Sequence, residues 1–82
     1  MNWTSNINEK DKEGELTPLH LAVISGNTRV VRKLLIKGSD IALVDKQGKT
    51  PSDLAKENGF NNILKMLVYI HLDFSYFIKF SL

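Results

Sequence analysis

Residues 17 to 38 read TPLHLAVISGNTRVVRKLLIKG, and a blurred copy, TPSDLAKENGFNNILKML, starts 33 residues later at Thr50. In that register Thr17 meets Thr50, Pro18 meets Pro51, Ala22 meets Ala55 and Gly26 meets Gly59, while Val30 falls on Ile63 and Leu34 on Leu67. A repeat of roughly 20–50 residues constrains the fold more than any local signal. Each unit is a supersecondary element that cannot bury its apolar face alone, so neighbours must stack.

The unit can be read from local chemistry. Thr17-Pro18 is a helix start: the hydroxyl caps orphan backbone amides, and Pro stands where its missing N–H does no harm. The helix should run to about Ser25, where Gly26-Asn27 breaks it and Asn27 or Thr28 caps a second. There Val30, Val31, Leu34 and Leu35 form one apolar face, with Arg29, Arg32, Lys33 and Lys37 on the solvated side. Lys37 complements the helix dipole and Gly38 is the expected left-handed terminator. Residues 39–49 should form a brief extended stretch and then the turn Asp45-Lys46-Gln47-Gly48. The second pair opens at Thr50, with Asp53 three residues on as a capping box, and Leu54, Ala55, Ile63, Leu64 and Leu67 repeat the apolar pattern.

These residues resemble the ankyrin repeat: a turn with Gly, then TPLH-x-A, a second Gly and a V-V-x-x-L-L-x-x-G helix. The first copy supplies Gly14, Thr17, Pro18, Leu19, His20, Ala22, Gly26, Val30, Val31, Leu34, Leu35 and Gly38. The resemblance implies an all-α solenoid of stacked helix-turn-helix units with projecting turns and an extended or irregular C-terminal tail. Residues 1–10 read as the remnant of a preceding repeat or a disordered N-terminus. Residues 11–67 are the two repeats, about 11–44 and 45–67, and 68–82 an apolar tail.

Departures from the pattern carry expectations too. Asp11 to Thr17 spans one step more than Asp45 to Thr50, and Leu16 is the expected insertion. Ser52 and Asp53 replace Leu19 and His20 in the second copy, which weakens packing there and suits a terminal repeat. His71 stands where the repeat should end in glycine.

The resemblance also implies a function, recognition of a protein partner by the turn tips and the exposed side of each first helix. Carried onto this chain, the candidate positions are Lys12, Glu13 and Glu15 at the first tip with Ile24 and Ser25 on its helix. In the second unit they are Lys46, Gln47 and Lys49, with Glu57 and Asn58. For any one of them, plain solvent exposure is an equal reading. Ile24 is the most pointed candidate, a branched apolar residue on an otherwise wet face. VISGNTRVVRKLLIKG…GKTPSDLAKENGF is also similar to repeats of ankyrin-bearing palmitoyltransferases. The alternative is therefore a truncated N-terminal repeat region of a larger membrane enzyme or channel. The Asp-His-His-Cys cluster and membrane spans such an enzyme needs are not in this sequence.

Other chemistries find little support. The formal charge is +2, and residues 11–67 interleave nine Lys or Arg with seven Asp or Glu, too mild a balance for nucleic acid. With no cysteine, disulfides, thiolate metal sites and cysteine nucleophiles are excluded. His20 is a natural candidate for a site, yet no acid or second His is placed to complete one. Its position three residues after Thr17 suits exchange of hydrogen bonds with the cap and turn backbone. Neither a metal nor another cofactor is expected, nor catalysis. Arg29, Arg32, Lys33 and Lys37 could hold phosphate or acidic headgroups, but such a run is ordinarily a solvated helix face. GKT at 48–50 lacks the upstream glycine and strand of a phosphate loop. MNWTSNINEK has no basic start followed by an apolar run, so a cytoplasmic chain, or one facing the cytosol, is expected.

The tail IHLDFSYFIKFSL alternates apolar and polar residues, the pattern of a strand with one apolar face. It is too short and too charged to span a bilayer as a helix. Three readings stand: a cap folded over Ile63 and Leu67, the beginning of a membrane segment, or an unstructured end. A membrane is thus expected only through this tail or a longer parent chain.

Overall fold

In the computed structural model, residues 7–69 are described; the strand expected over Ile70 to Leu82 and the ending at His71 lie outside them. Helix α1 spans Pro18–Ile24, α2 Thr28–Ile36 and α3 Pro51–Glu57, and α4 covers residues 61–69. The described residues form two helix pairs in series, and no strand occurs among them.

Both first helices start as their sequence dictates. Thr50 Oγ1 accepts from the Asp53 amide at 3.2 Å while Asp53 Oδ2 accepts from the Thr50 amide at 3.0 Å. At Thr17 the same reciprocal box is made with an imidazole: His20 Nδ1 accepts the Thr17 amide at 3.1 Å and Thr17 Oγ1 accepts the His20 amide at 3.3 Å. Asn27 caps α2, its Oδ1 accepting from the Val30 amide at 3.2 Å.

The three helix ends share one device. After α1, α2 and α3, glycines 26, 38 and 59 take φ of 70°, 94° and 71°. Each glycine amide and the amide after it turn back to carbonyls in the last helical turn. This paired closure satisfies carbonyls that a helix end leaves orphaned, and it needs a left-handed residue that only glycine adopts without strain. After α1 the residue that follows is Asn27, which goes on to cap α2. After α3 it is Phe60, whose side chain has no acceptor to offer α4 and whose carbonyl takes the Leu64 amide at 2.9 Å. Its ring lies instead over Gly26, so close that a Cβ there would meet Cζ at 3.3 Å.

One core joins the pairs. Leu19, Ala22 and Val23 of α1, Val31 and Leu34 of α2, Leu54 and Ala55 of α3, and Ile63 and Leu67 of α4 are all buried in it. Ser52, in Leu19's place, is half-buried. Burying a Leu or Ile stabilises by about 1.5–3 kcal/mol, so stacking supplies what two seven-residue helices cannot supply singly. Ile7 and Ile41 also pack on this core. Asn8 Oδ1 accepts the Asp40 amide at 2.9 Å, tying the start of the described chain to the linker after α2. That linker is less extended than its sequence suggests: Asp40 Oδ1 accepts from the Ala42 amide at 2.9 Å and folds residues 41–42 into a turn. Helix α4 carries on through Val68 and Tyr69, two residues past Leu67.

Candidate functional site: the turn tips and the groove between them

Each projecting turn is built on an aspartate. Asp45 Oδ1 accepts the amides of Gln47 and Lys49, both at 2.9 Å, and the Asp45 amide donates to the Lys49 carbonyl at 2.9 Å. Asp11 does the same over a loop one residue longer, its Oδ1 accepting from Gly14 at 3.0 Å and Leu16 at 2.9 Å. The Asp11 amide closes on the Leu16 carbonyl. Leu16 therefore holds the place of Lys49 and is not the inserted residue; Gly14 answers to Gln47, so the extra one is Lys12 or Glu13. The displacement has a steric consequence. Gly48 takes a φ of 79°, and its counterpart at the first tip is Glu15, at 56°, so the first turn puts a side chain where the second puts glycine.

The tips are linked to each other and to the helices. The Lys46 amide donates to the Gly14 carbonyl at 2.9 Å. Nε2 of the fully buried His20 donates to the Lys49 carbonyl at 3.0 Å, which leaves Nδ1 as the acceptor for Thr17. One imidazole thus caps its own helix and fastens the next unit's turn, the role its spacing from Thr17 suggested.

Between the tips lies a groove of about 400 Å³, floored by Leu16, Ile24 and Leu54 and walled by Glu13 on one side and Asp45, Lys46 and Gln47 on the other. It brings together four of the positions chosen from sequence, Glu13, Ile24, Lys46 and Gln47. Ile24 is 44% exposed.

The other six lie elsewhere. Lys12 lines a separate depression with Leu16, Pro18 and Leu21, and Ser25 borders another with Leu21 and Val30. Glu15 is exposed. Ser25 Oγ donates to the Ala22 carbonyl at 3.0 Å and Asn58 Nδ2 to that of Leu54 at 2.8 Å, so both serve their own helices. Lys49 and Glu57 form an ion pair with each other at 2.7 Å.

Leu16 and Leu54 were not singled out for the site. Leu54 matched only a core pattern, and Leu16 was masked by the assumption that it was inserted.

The Lys49 amide, helped by that of Gln47, holds Asp45 below its ordinary value against the opposing effect of desolvation. The Thr50 backbone and side chain lower Asp53. Glu57 raises Lys49. No group of three or more metal-ligating side chains occurs among the described residues, and no helix there is long and apolar enough to cross a membrane.

Stacked helix pairs with projecting, hydrogen-bonded turns and an inter-unit histidine define a repeat scaffold. A family model for ankyrin repeats, in three copies, matches residues 2–76, and the chain belongs to that family. It is 39% identical over 67 residues to palmitoyltransferase ZDHHC13 of Homo sapiens, an alignment covering 82% of this chain and 11% of the relative. It is 38% identical over 68 residues to the nuclear factor NF-kappa-B p105 subunit of Gallus gallus, covering 83% of this chain and 7% of that one. Against the ARF GTPase-activating protein Git of Drosophila melanogaster it is 40% identical over 52 residues, covering 63% of this chain and 7% of Git. The chain thus spans about a tenth of the length of the first of these curated relatives, and the palmitoyltransferase similarity lies within the repeats.

Proposed function

We propose that this chain is a non-catalytic recognition module that grips a protein partner between its two turn tips and along the exposed sides of α1 and α3. The observation that carries the reading is the groove at Ile24. An exposed branched side chain sits beside an apolar floor of two leucines, between one tip bearing Glu13 and another bearing Lys46. A partner side chain entering it would displace water from apolar surface, and the flanking charges would set its orientation.

Of the ten positions chosen from sequence, Glu13, Ile24, Lys46 and Gln47 form the centre of the proposed contact. Lys12, Glu15 and Ser25 belong to its rim on the first unit, and Lys49, Glu57 and Asn58 to its rim on the second. The partner faces the cytosol.

The test is selection of a displayed peptide library against the whole chain, followed by affinity measurement on variants. Ile24→Ala with Lys46→Glu should weaken selected binders at least about tenfold, with unchanged helicity. Undiminished affinity in the double variant would place recognition on another face.

A second reading rests on the length of the relatives: the chain is the repeat segment of a larger membrane protein, such as an ankyrin-bearing palmitoyltransferase or a channel. Antibody raised against residues 7–69 should then detect a polypeptide several times longer in membrane fractions. Detection of an 82-residue species alone would rule this out.

A further inference from the structure

Among the described residues the acids are confined to certain elements, while the cations are spread over all but α1. All eight of those acids, Glu9, Asp11, Glu13, Glu15, Asp40, Asp45, Asp53 and Glu57, lie on the turns, the linkers or α3. The second helices of the two pairs, α2 and α4, hold no acid. On α2, Arg29, Arg32, Lys33, Ile36 and Lys37 follow the spacing i, i+3, i+4, i+7, i+8 through its C-cap, a single stripe opposite the buried Val31 and Leu34. On α4, Lys65 holds the place of Arg32 and Tyr69 that of Ile36. All these side chains are exposed, Ile36 the most at 76% and Tyr69 at 48%.

Helix stability does not account for the stripe. Arg29 to Lys33 and Lys33 to Lys37 are like-charge pairs four residues apart, which repel. Arg29 also sits in the first turn of α2, where the dipole disfavours a cation and no acid offsets it. An isoleucine exposed to three-quarters of its surface inside a cationic stripe is likewise no packing device.

From this stripe we propose that the exposed side of α2, with the equivalent positions Lys65 and Tyr69 of α4, docks on an anionic membrane surface. The cations meet headgroup phosphates and carboxylates, and Ile36 and Tyr69 enter the interfacial layer. Sign and geometry both fit. A polybasic face is drawn to an anionic leaflet, apolar and tyrosyl side chains partition at the headgroup level, and neither needs a pocket. The contact lies on the helices, unlike the membrane contact through the tail considered from sequence. It also lies away from the groove, so a partner and a membrane can be held at once.

The experiment is cosedimentation of the full chain with phosphatidylcholine vesicles, with and without phosphatidylserine, at physiological ionic strength. Binding is expected only with phosphatidylserine and should weaken as salt rises. Arg32→Gln with Lys33→Gln should lower the partition about 25-fold, at roughly fivefold for each charge near the surface. Ile36→Ser should lower it at least about threefold. Lys10→Gln with Lys56→Gln, which removes the same charge from other elements, should leave it unchanged. All variants should keep the parent's helicity, since every altered side chain lies outside the buried core. Equal loss in the Lys10/Lys56 variant, or retained binding in the Arg32/Lys33 variant, would overturn the proposal. So would abolition of binding by short duplex DNA at equal phosphate concentration, which would identify a general polyanion site.

Discussion

Nε2 of His20 lies 3.0 Å from the carbonyl oxygen of Lys49, joining the first helix of one unit to the turn of the next. The donor is buried, so losing it leaves an acceptor poorly satisfied. His20→Asn, which keeps a side-chain acceptor for the Thr17 cap but cannot reach Lys49, should destabilise the chain by about 1–3 kcal/mol in denaturant unfolding. Asp53, the residue in the equivalent place on α3, makes only the cap. Asp53→Asn should therefore be much milder.

Glu15 occupies a left-handed position that the second turn gives to Gly48. Glu15→Gly should raise stability by about 0.5–1 kcal/mol, because relief of a strained L-residue outweighs the added freedom of the unfolded chain. Thermal unfolding should show a rise of several degrees, about 4–8 °C for each kcal/mol in a domain this small. An unchanged midpoint would mean that the loop relaxes around Glu15.

Gly26 and Gly48 separate backbone strain from packing. Both have positive φ, but a Cβ at Gly48 meets nothing within 4 Å, while one at Gly26 meets the Phe60 ring at 3.3 Å. Gly48→Ala should cost the conformational term alone, about 1–2 kcal/mol. Gly26→Ala should cost more, and that excess should vanish in a Phe60→Ala background. Persistence of the excess there would show that the Phe60 contact is not its source.

Asp45 and Asp53 give the fold an acid limit. Both carboxyls are held below 3.8, their unperturbed value, by hydrogen bonds that exist only in the folded turns and caps. The folded state therefore binds fewer protons than the unfolded chain. Their contribution is fully present above 3.8 and is lost as pH falls through the lower folded values. Asp45→Asn, whose Oδ1 still accepts both turn amides, should be less stable than the parent at neutral pH. It should also lose stability less steeply on acidification. Parallel acid profiles for the two proteins would mean that Asp45 does not contribute.

What could be read in advance was what the chain decides locally. The caps at Thr17, Asn27 and Thr50 and the glycine ends at 26 and 38 each rest on a few adjacent residues, so their chemistry is visible in the string. The same holds for His20, whose spacing from Thr17 is that of a capping box. The 33-residue offset then implied which faces meet, because equivalent residues in stacked units must find equivalent surroundings.

Other features depended on the folded turns and on contacts that the linear order does not show. Leu16 was misread because by count it could absorb the extra position as well as Lys12 or Glu13 could. Placing it at the closing bond with Asp11 needed the three-dimensional turn. Lys49 and Glu57 looked like separate surface charges until α3 brought them into an ion pair, and Leu54, the core residue its pattern indicated, also borders the groove. Periodicity and capping are properties of neighbours along the backbone, so sequence alone determined the helices, their ends and their order. The groove, the bond from His20 to the next turn and the packing of Phe60 on Gly26 arise between residues about 30 positions apart, and only tertiary structure sets those distances.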